Sequence, residues 1–134
     1  MGLILDTDVL IHWERTGKTI DLNPYEKYGE AAISVIVASE LLVGVHRADT
    51  ETRRGKRSAF VEAILLELPV LEFTTEIARV HAELFARLAS QGQMIGAHDL
   101  IIAATAIYHK SALLTMNVRD FQRIINLEVV RLPV

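Results

Sequence analysis

The sequence predicts an α/β domain with a parallel β-sheet flanked by helices. Short apolar, strand-like runs alternate along the chain with stretches of helical spacing, the order that builds parallel sheets with helices on both faces. The chain has 134 residues, 51% of them hydrophobic, which suits one domain with its own core. No linker or repeat divides it, so residues 1–134 are read as one unit.

Leu3-Ile4-Leu5 is the first strand, ended by Asp6-Thr7-Asp8. Val9 to Trp13 opens a helix with Asp8 or Thr7 as its N-cap. A loop runs from Gly17 to Asn23, where Asn23-Pro24 caps a turn that Gly29 stops. Ala31 to Ser34 is the second strand and Ile36 to Val45 a buried helix. Arg47 to Arg57 reads as a charged, mobile segment, after which Phe60, Ile64 and Leu68 keep helical spacing up to Pro69. Val70 to Phe73 is a third strand. Ile77, Val80, His81, Leu84 and Leu88 mark a helix that Gly92 ends. A loop from Gln93 to Ala97 precedes a helix from His98 to Tyr108. Ala112 to Thr115 is the fourth strand, Asn117 to Ile124 a short helix, and Leu127 to Leu132 the last strand.

Composition excludes several function classes. There is no cysteine, hence no disulfide framework, thiolate zinc site, iron–sulfur cluster or cysteine nucleophile. Such a chain needs no oxidising compartment, and a cytoplasmic location is expected. The net charge of −3 gives no global basic field for nucleic acid, and 6% aromatics make a poor stacking platform. Neither apolar stretch, Ala31 to Val45 with Glu40 inside or Leu100 to Ala104 beside Asp99, has the roughly 20 apolar residues of a membrane span. No targeting segment is expected, because Asp6 and Asp8 follow the first apolar run at once.

Three carboxylates stand alone in apolar surroundings: Asp6, Glu40 and Asp99. Each of two has a plain structural use. Asp6 can cap a helix, and Asp99 suits the first turn of one; Asn117 and Asp120 likewise resemble a capping pair. Glu40, between Val37 and Gly44, is not explained by capping. Taken together they follow strands or open helices, and such positions gather at the carboxyl edge of an open α/β sheet. Clustered carboxylates repel one another unless a cation neutralises them. Oxygen ligands without cysteine favour Mg²⁺ or Mn²⁺, the ions of phosphoryl chemistry.

At these residues the chain resembles a known family. Leu5-Asp6-Thr7-Asp8-Val9-Leu10-Ile11 is similar to the opening motif of PIN-domain proteins, and Ala38-Ser39-Glu40-Leu41-Leu42-Val43-Gly44 to the second. The run from Asp99 to Ala106 resembles the third, and Leu114-Thr115-Met116-Asn117-Val118-Arg119-Asp120-Phe121 the fourth. In size the chain resembles the VapC toxins of toxin–antitoxin pairs. The resemblance implies a PIN-like fold and an endoribonuclease dependent on Mg²⁺ or Mn²⁺, with RNA as substrate, a VapB-type antitoxin as partner, a homodimeric state and no membrane association. It puts the catalytic and metal-binding set on Asp6, Glu40, Asp99 and Asp120, with Thr115 and Asn117 in support. Asp8 stands where relatives often have asparagine or serine and adds a possible ligand. Some relatives carry a carboxylate at the place of Asn117, which leaves the roles of Asn117 and Asp120 open.

The run Arg47, Arg53, Arg54, Lys56 and Arg57 is the densest basic segment; with Arg119 it is a candidate RNA contact, against a plain solvated surface. His81 reads as a hydrogen-bonded core residue. The segments around Phe60 and Leu84 are candidates for a subunit contact. Two rival functions are open. One is a haloacid-dehalogenase-like phosphatase with Asp6 as nucleophile, which Glu40 and the lack of a lysine shortly before Asp99 oppose. The other is a PIN-like binding module without catalysis, which the intact acidic set opposes.

Overall fold

The computed structural model describes residues 1–18 and 20–133. Its strands are β1 (Leu3–Leu5), β2 (Ala31–Ser34), β3 (Val70–Leu71), β4 (Ala112–Thr115) and β5 (Val129–Arg131). They form one parallel sheet in the order β3-β2-β1-β4-β5. The chain starts in the middle of the sheet, builds outward through β2 and β3, then returns to lay β4 on the other side of β1. That reversal puts the topological switch point between β1 and β4. Leu3 pairs with Ala112 and Leu5 with Leu114, so both strands end level at that edge. Both are fully buried, as helices on both faces require.

The helices are α1 (Thr7–Thr16), α2 (Val35–His46), α3 (Glu51–Glu67), α4 (Thr75–Ser90), α5 (Ala97–Tyr108) and α6 (Val118–Phe121). Ser34, Thr50 and Thr74 cap α2, α3 and α4 through their side-chain oxygens. Gly17 ends α1 at φ 65, a left-handed position where glycine carries no Cβ penalty. Helix α3 packs on α2 and α4 on α5.

Several boundaries differ from the sequence reading. The N-cap of α1 is Asp6, the capping use open to that carboxylate, and not Thr7 or Asp8. The charged segment is ordered for the most part: Thr50 caps α3, and Glu51 to Arg57 form its first turns. Strand β3 stops at Leu71, α6 at Phe121, and β5 starts only at Val129. Asn23 is the first residue of a 3₁₀ turn over Asn23–Tyr28, with Pro24 in its first positions and Leu22 as cap. In the preceding loop Thr19 lies outside the described residues. His81 is half-buried on α4, ring to ring with Phe73 at 5.9 Å and Phe85 at 6.3 Å, in an aromatic surface cluster and not in the core. Leu84 is buried, and its neighbour Phe85 is the exposed residue. No described helix is long and apolar enough to cross a membrane.

Candidate active site

The site is built at the carboxyl ends of β1 and β4. Asp6 follows β1 directly and is 5% exposed. Its Oδ1 accepts the Thr7 amide at 2.8 Å, and its Oδ2 accepts the Thr115 hydroxyl at 2.7 Å from the end of β4. Thr115 Oγ1 in turn accepts the Asn117 amide at 2.9 Å. Asp8, in the first turn of α1, accepts the Met116 amide on both carboxylate oxygens, at 3.2 and 3.3 Å. Asp6 and Asp8 therefore tie the start of α1 to the segment after β4.

Helix α2 brings Glu40 to the same place. The Thr7 hydroxyl donates to Glu40 Oε1 at 2.6 Å, and His98 Nδ1 lies 3.3 Å from Glu40 Oε2. Asp99 is in the first turn of α5, whose N-cap Gly96 supplies no side-chain bond. Asp120 lies in α6; Asn117 Nδ2 donates to its Oδ2 at 3.2 Å, and Arg123 reaches its Oδ1 at 3.9 Å. The Asn117–Asp120 pair is thus a side-chain bond between the two residues, and no side-chain capping bond forms at α6.

Charge repulsion is written into this arrangement. Burial, followed by the charge of Asp8, pushes the Asp6 carboxyl up to about 7, against the pull of the Thr115 and Thr7 bonds. Burial also raises Asp8. Asp99 is raised first by burial, then by the charges of Glu40, Asp120 and Asp8. These couplings place Asp6, Asp8, Glu40, Asp99 and Asp120 in one electrostatic unit. Among the described residues no lysine or arginine is within ion-pair distance of Asp6, Asp8 or Asp99.

The donor set fits a hard divalent cation: it is all oxygen, and Asp6, Asp8 and Asp99 have no basic partner among the described residues. No three His, Asp or Glu side chains among the described residues stand ready as a closed coordination shell. The fit is therefore to an ion that keeps most of its water and takes one or two carboxylates directly, the habit of Mg²⁺. Sequence reasoning missed the roles of Thr7 and His98, both of which touch Glu40. Their signal was weak, since Thr7 lies 33 and His98 58 positions from that residue. Several of the basic candidates are held by neighbouring groups. Arg53 pairs with Asp49, Arg57 with Glu14, and Arg54 donates to the Ala48 carbonyl; Arg119 is exposed on α6.

The PIN domain family matches residues 3–127, a span that contains every carboxylate above. This chain belongs to the PIN-domain family. It is 46% identical to Ribonuclease VapC1 of Rickettsia felis over 129 residues, 96% of this chain and 95% of that one. It is 42% identical to Ribonuclease VapC of Rickettsia bellii over 133 residues, 99% and 98% of the two chains. Among solved structures it is similar to VapBC2 from Rickettsia felis bound to a promoter DNA fragment, with a TM-score of 0.88 and 27% identity over 99% of this chain and 100% of that one. DNA-bound VapBC from Salmonella typhimurium gives a TM-score of 0.86 and 26% identity over 98% of each chain. Within the PIN-domain family the chain is of the VapC type. PIN-domain ribonucleases depend in general on a metal ion, in keeping with the crowded oxygen donors of this one.

Proposed function

We propose that residues 1–134 act as one nuclease domain, the endoribonuclease toxin of a type II toxin–antitoxin pair, which hydrolyses RNA phosphodiesters with Mg²⁺ or Mn²⁺. The observation that carries this is the mutually repelling set of buried Asp6 and half-buried Asp8 and Asp99 by the switch point of the sheet, in a chain of the VapC type. Asp6 and Asp99 are the direct ligands. Asp8 and Asp120 add charge and hold ordered water. Thr115 fixes the Asp6 carboxylate and Asn117 the Asp120 carboxylate. When bound, the cation supplies charge against the phosphate oxygens and acidity to nearby water.

Glu40 is the base. Its Oε1 is held by Thr7, which leaves Oε2, beside His98, to orient a water and take its proton. The water oxygen bonds to phosphorus, the bond from phosphorus to the 3′ oxygen breaks, that oxygen takes a proton from solvent water, and Glu40 returns its proton to solvent. The products carry 5′-phosphate and 3′-hydroxyl ends.

A VapB-type antitoxin restrains the enzyme, the protomers pair as a homodimer, and the work is cytoplasmic. The phosphatase reading gains nothing here, because among the described residues no lysine is within ion-pair distance of Asp6 or Asp99. Purified protein incubated with total RNA, with and without Mg²⁺ or Mn²⁺, tests the proposal. New metal-dependent 5′-phosphate ends are expected. Cleavage that survives EDTA, or leaves cyclic phosphates, overturns the mechanism, and an absence of metal binding supports a non-catalytic module.

A further inference from the structure

A second feature lies beside Glu40. A cavity of about 70 Å³ between α1, α2 and α3 is bordered by Glu40 at one side and by Glu14, Arg15, Arg57 and Phe60 at the other. The same four residues border a wider basin of about 820 Å³. Five of the chain's 14 Lys and Arg line that basin: Arg15, Arg47, Arg53, Lys56 and Arg57. Only Glu14 and Asp49 oppose them, giving a net +3 on a protein of net −3. Arg57 is fixed by Glu14 at 3.4 Å and by the Gly44 carbonyl at 3.3 Å, and Arg53 by Asp49. Arg15, Arg47 and Lys56 have no carboxylate within ion-pair distance among the described residues.

We propose that this basin binds the sugar–phosphate backbone of single-stranded RNA on one side of the cut, so that the strand runs from the acidic site along α2 into the basic basin. The proposal rests on the ribonuclease reading for its ligand. Arg47 is seven residues beyond Glu40, about 10 Å along the axis at ~1.5 Å per residue. Apart from Ala48 and Phe60 the basin is lined by charged side chains with a positive excess, which favours a phosphate backbone. A polyanion suits it better than a protein segment. Of the sequence candidates, Arg47, Arg53, Lys56 and Arg57 belong to this basin, Arg15 joins them, and Arg54 lies outside it.

The test uses the full chain in excess EDTA, titrated into a labelled single-stranded RNA of about 12 nucleotides, a length one binding groove covers. For the triple variant Arg15→Ala, Arg47→Ala, Lys56→Ala, the slope of log affinity against log salt should fall by about 2, at ~0.7 per phosphate contact on a single strand. The control triple Arg79→Ala, Arg87→Ala, Lys110→Ala removes equal charge elsewhere and should keep the wild-type slope. Equal slopes for the two triples overturn the proposal. So does a basin triple that keeps RNA affinity but no longer binds the antitoxin, which makes the basin a protein-docking surface. If the basin triple does not give the wild-type circular dichroism spectrum, the double variant Arg47→Gln, Lys56→Gln is read instead, with a fall of about 1 expected. Wild-type protein that binds RNA with this slope but cleaves none with Mg²⁺ or Mn²⁺ sinks the ribonuclease reading while upholding the basin.

Discussion

The Thr115 hydroxyl and the Asp6 carboxylate, 109 positions apart, meet at 2.7 Å where β1 and β4 end side by side. The Asn117 amide donates to the same Thr115 oxygen, so the hydroxyl proton is committed to Asp6. Thr115→Val keeps the shape and removes both bonds. It leaves a buried carboxylate oxygen and an amide without their partner, at a cost of about 1–3 kcal/mol. Urea denaturation should show that loss, and Thr115→Ser should recover most of it. An unchanged midpoint for the valine variant would mean that water replaces the hydroxyl.

Asp6 gives the metal-free protein an uncommon pH dependence. Its folded carboxyl is raised to about 7, whereas an unfolded aspartate titrates near 3.9. The folded state therefore binds the proton more tightly. The stability from this group is fully present below about pH 4 and is lost as pH rises to about 7. Asp6→Asn removes the titration. Metal-free wild type should thus weaken from pH 5 to pH 8 more than the variant does, by thermal melting in EDTA. Parallel profiles would refute the burial of a charged Asp6.

Asp99 separates function from helix design. Its position in the first turn of α5 favours a negative charge by about 0.3–1 kcal/mol, while Glu40, Asp120 and Asp8 oppose one. Asp99→Asn should end cleavage and leave the metal-free fold as stable as wild type or slightly more so. Asp99→Ala should lose no more than about 1 kcal/mol. A larger loss with RNA cleavage retained would make Asp99 a structural residue.

The contrast between strands and α3 explains what the sequence discloses. Leu3-Ile4-Leu5 and Ala112 to Thr115 are apolar because both faces of a central parallel strand are covered. The acidic residues after them stand out for the same reason. Glu51 to Arg57 holds no buried side chain, so its helix is fixed by the Thr50 cap and by Val61 and Ile64 further on. Charge concealed that helix. The hydrogen bonds around Glu40 join α1, α2 and α5, and no local spacing encodes them. Within the segment around Leu84, Leu84 itself is buried and the adjacent Phe85 is exposed, a split that apolar spacing alone does not resolve.

Thr7 is the sharpest of the residues found only in three dimensions. If it positions Glu40 as the base, Thr7→Val should lower kcat by about 10–100-fold, the usual cost of losing an orienting partner. KM should hold, because Thr7 does not bind the substrate. Thr7→Ser keeps the hydroxyl and should restore kcat. A serine variant as slow as the valine one would assign the effect to packing of α1 and not to Glu40.

The proposed dimer needs an exposed apolar face, and α4 offers one. Phe85 is 51% exposed and Phe73 44%, with the His81 ring between them. Exposed aromatic rings grouped in this way mark contact surfaces, and a two-fold axis past α4 would pair each cluster with its own copy. Phe85→Glu places a charge in that contact. Light scattering should show wild type as a dimer and the variant as a monomer, with the melting temperature of the monomer lowered by the loss of mass-action stabilisation. Co-expression with the neighbouring reading frame extends the test. The antitoxin should still bind the variant if its site is nearer the acidic residues, and expression of the wild-type toxin alone should arrest growth. A Phe85→Glu protein that stays dimeric moves the interface to another face, with the exposed apolar pair Leu42 and Val43 of α2 as the next candidate.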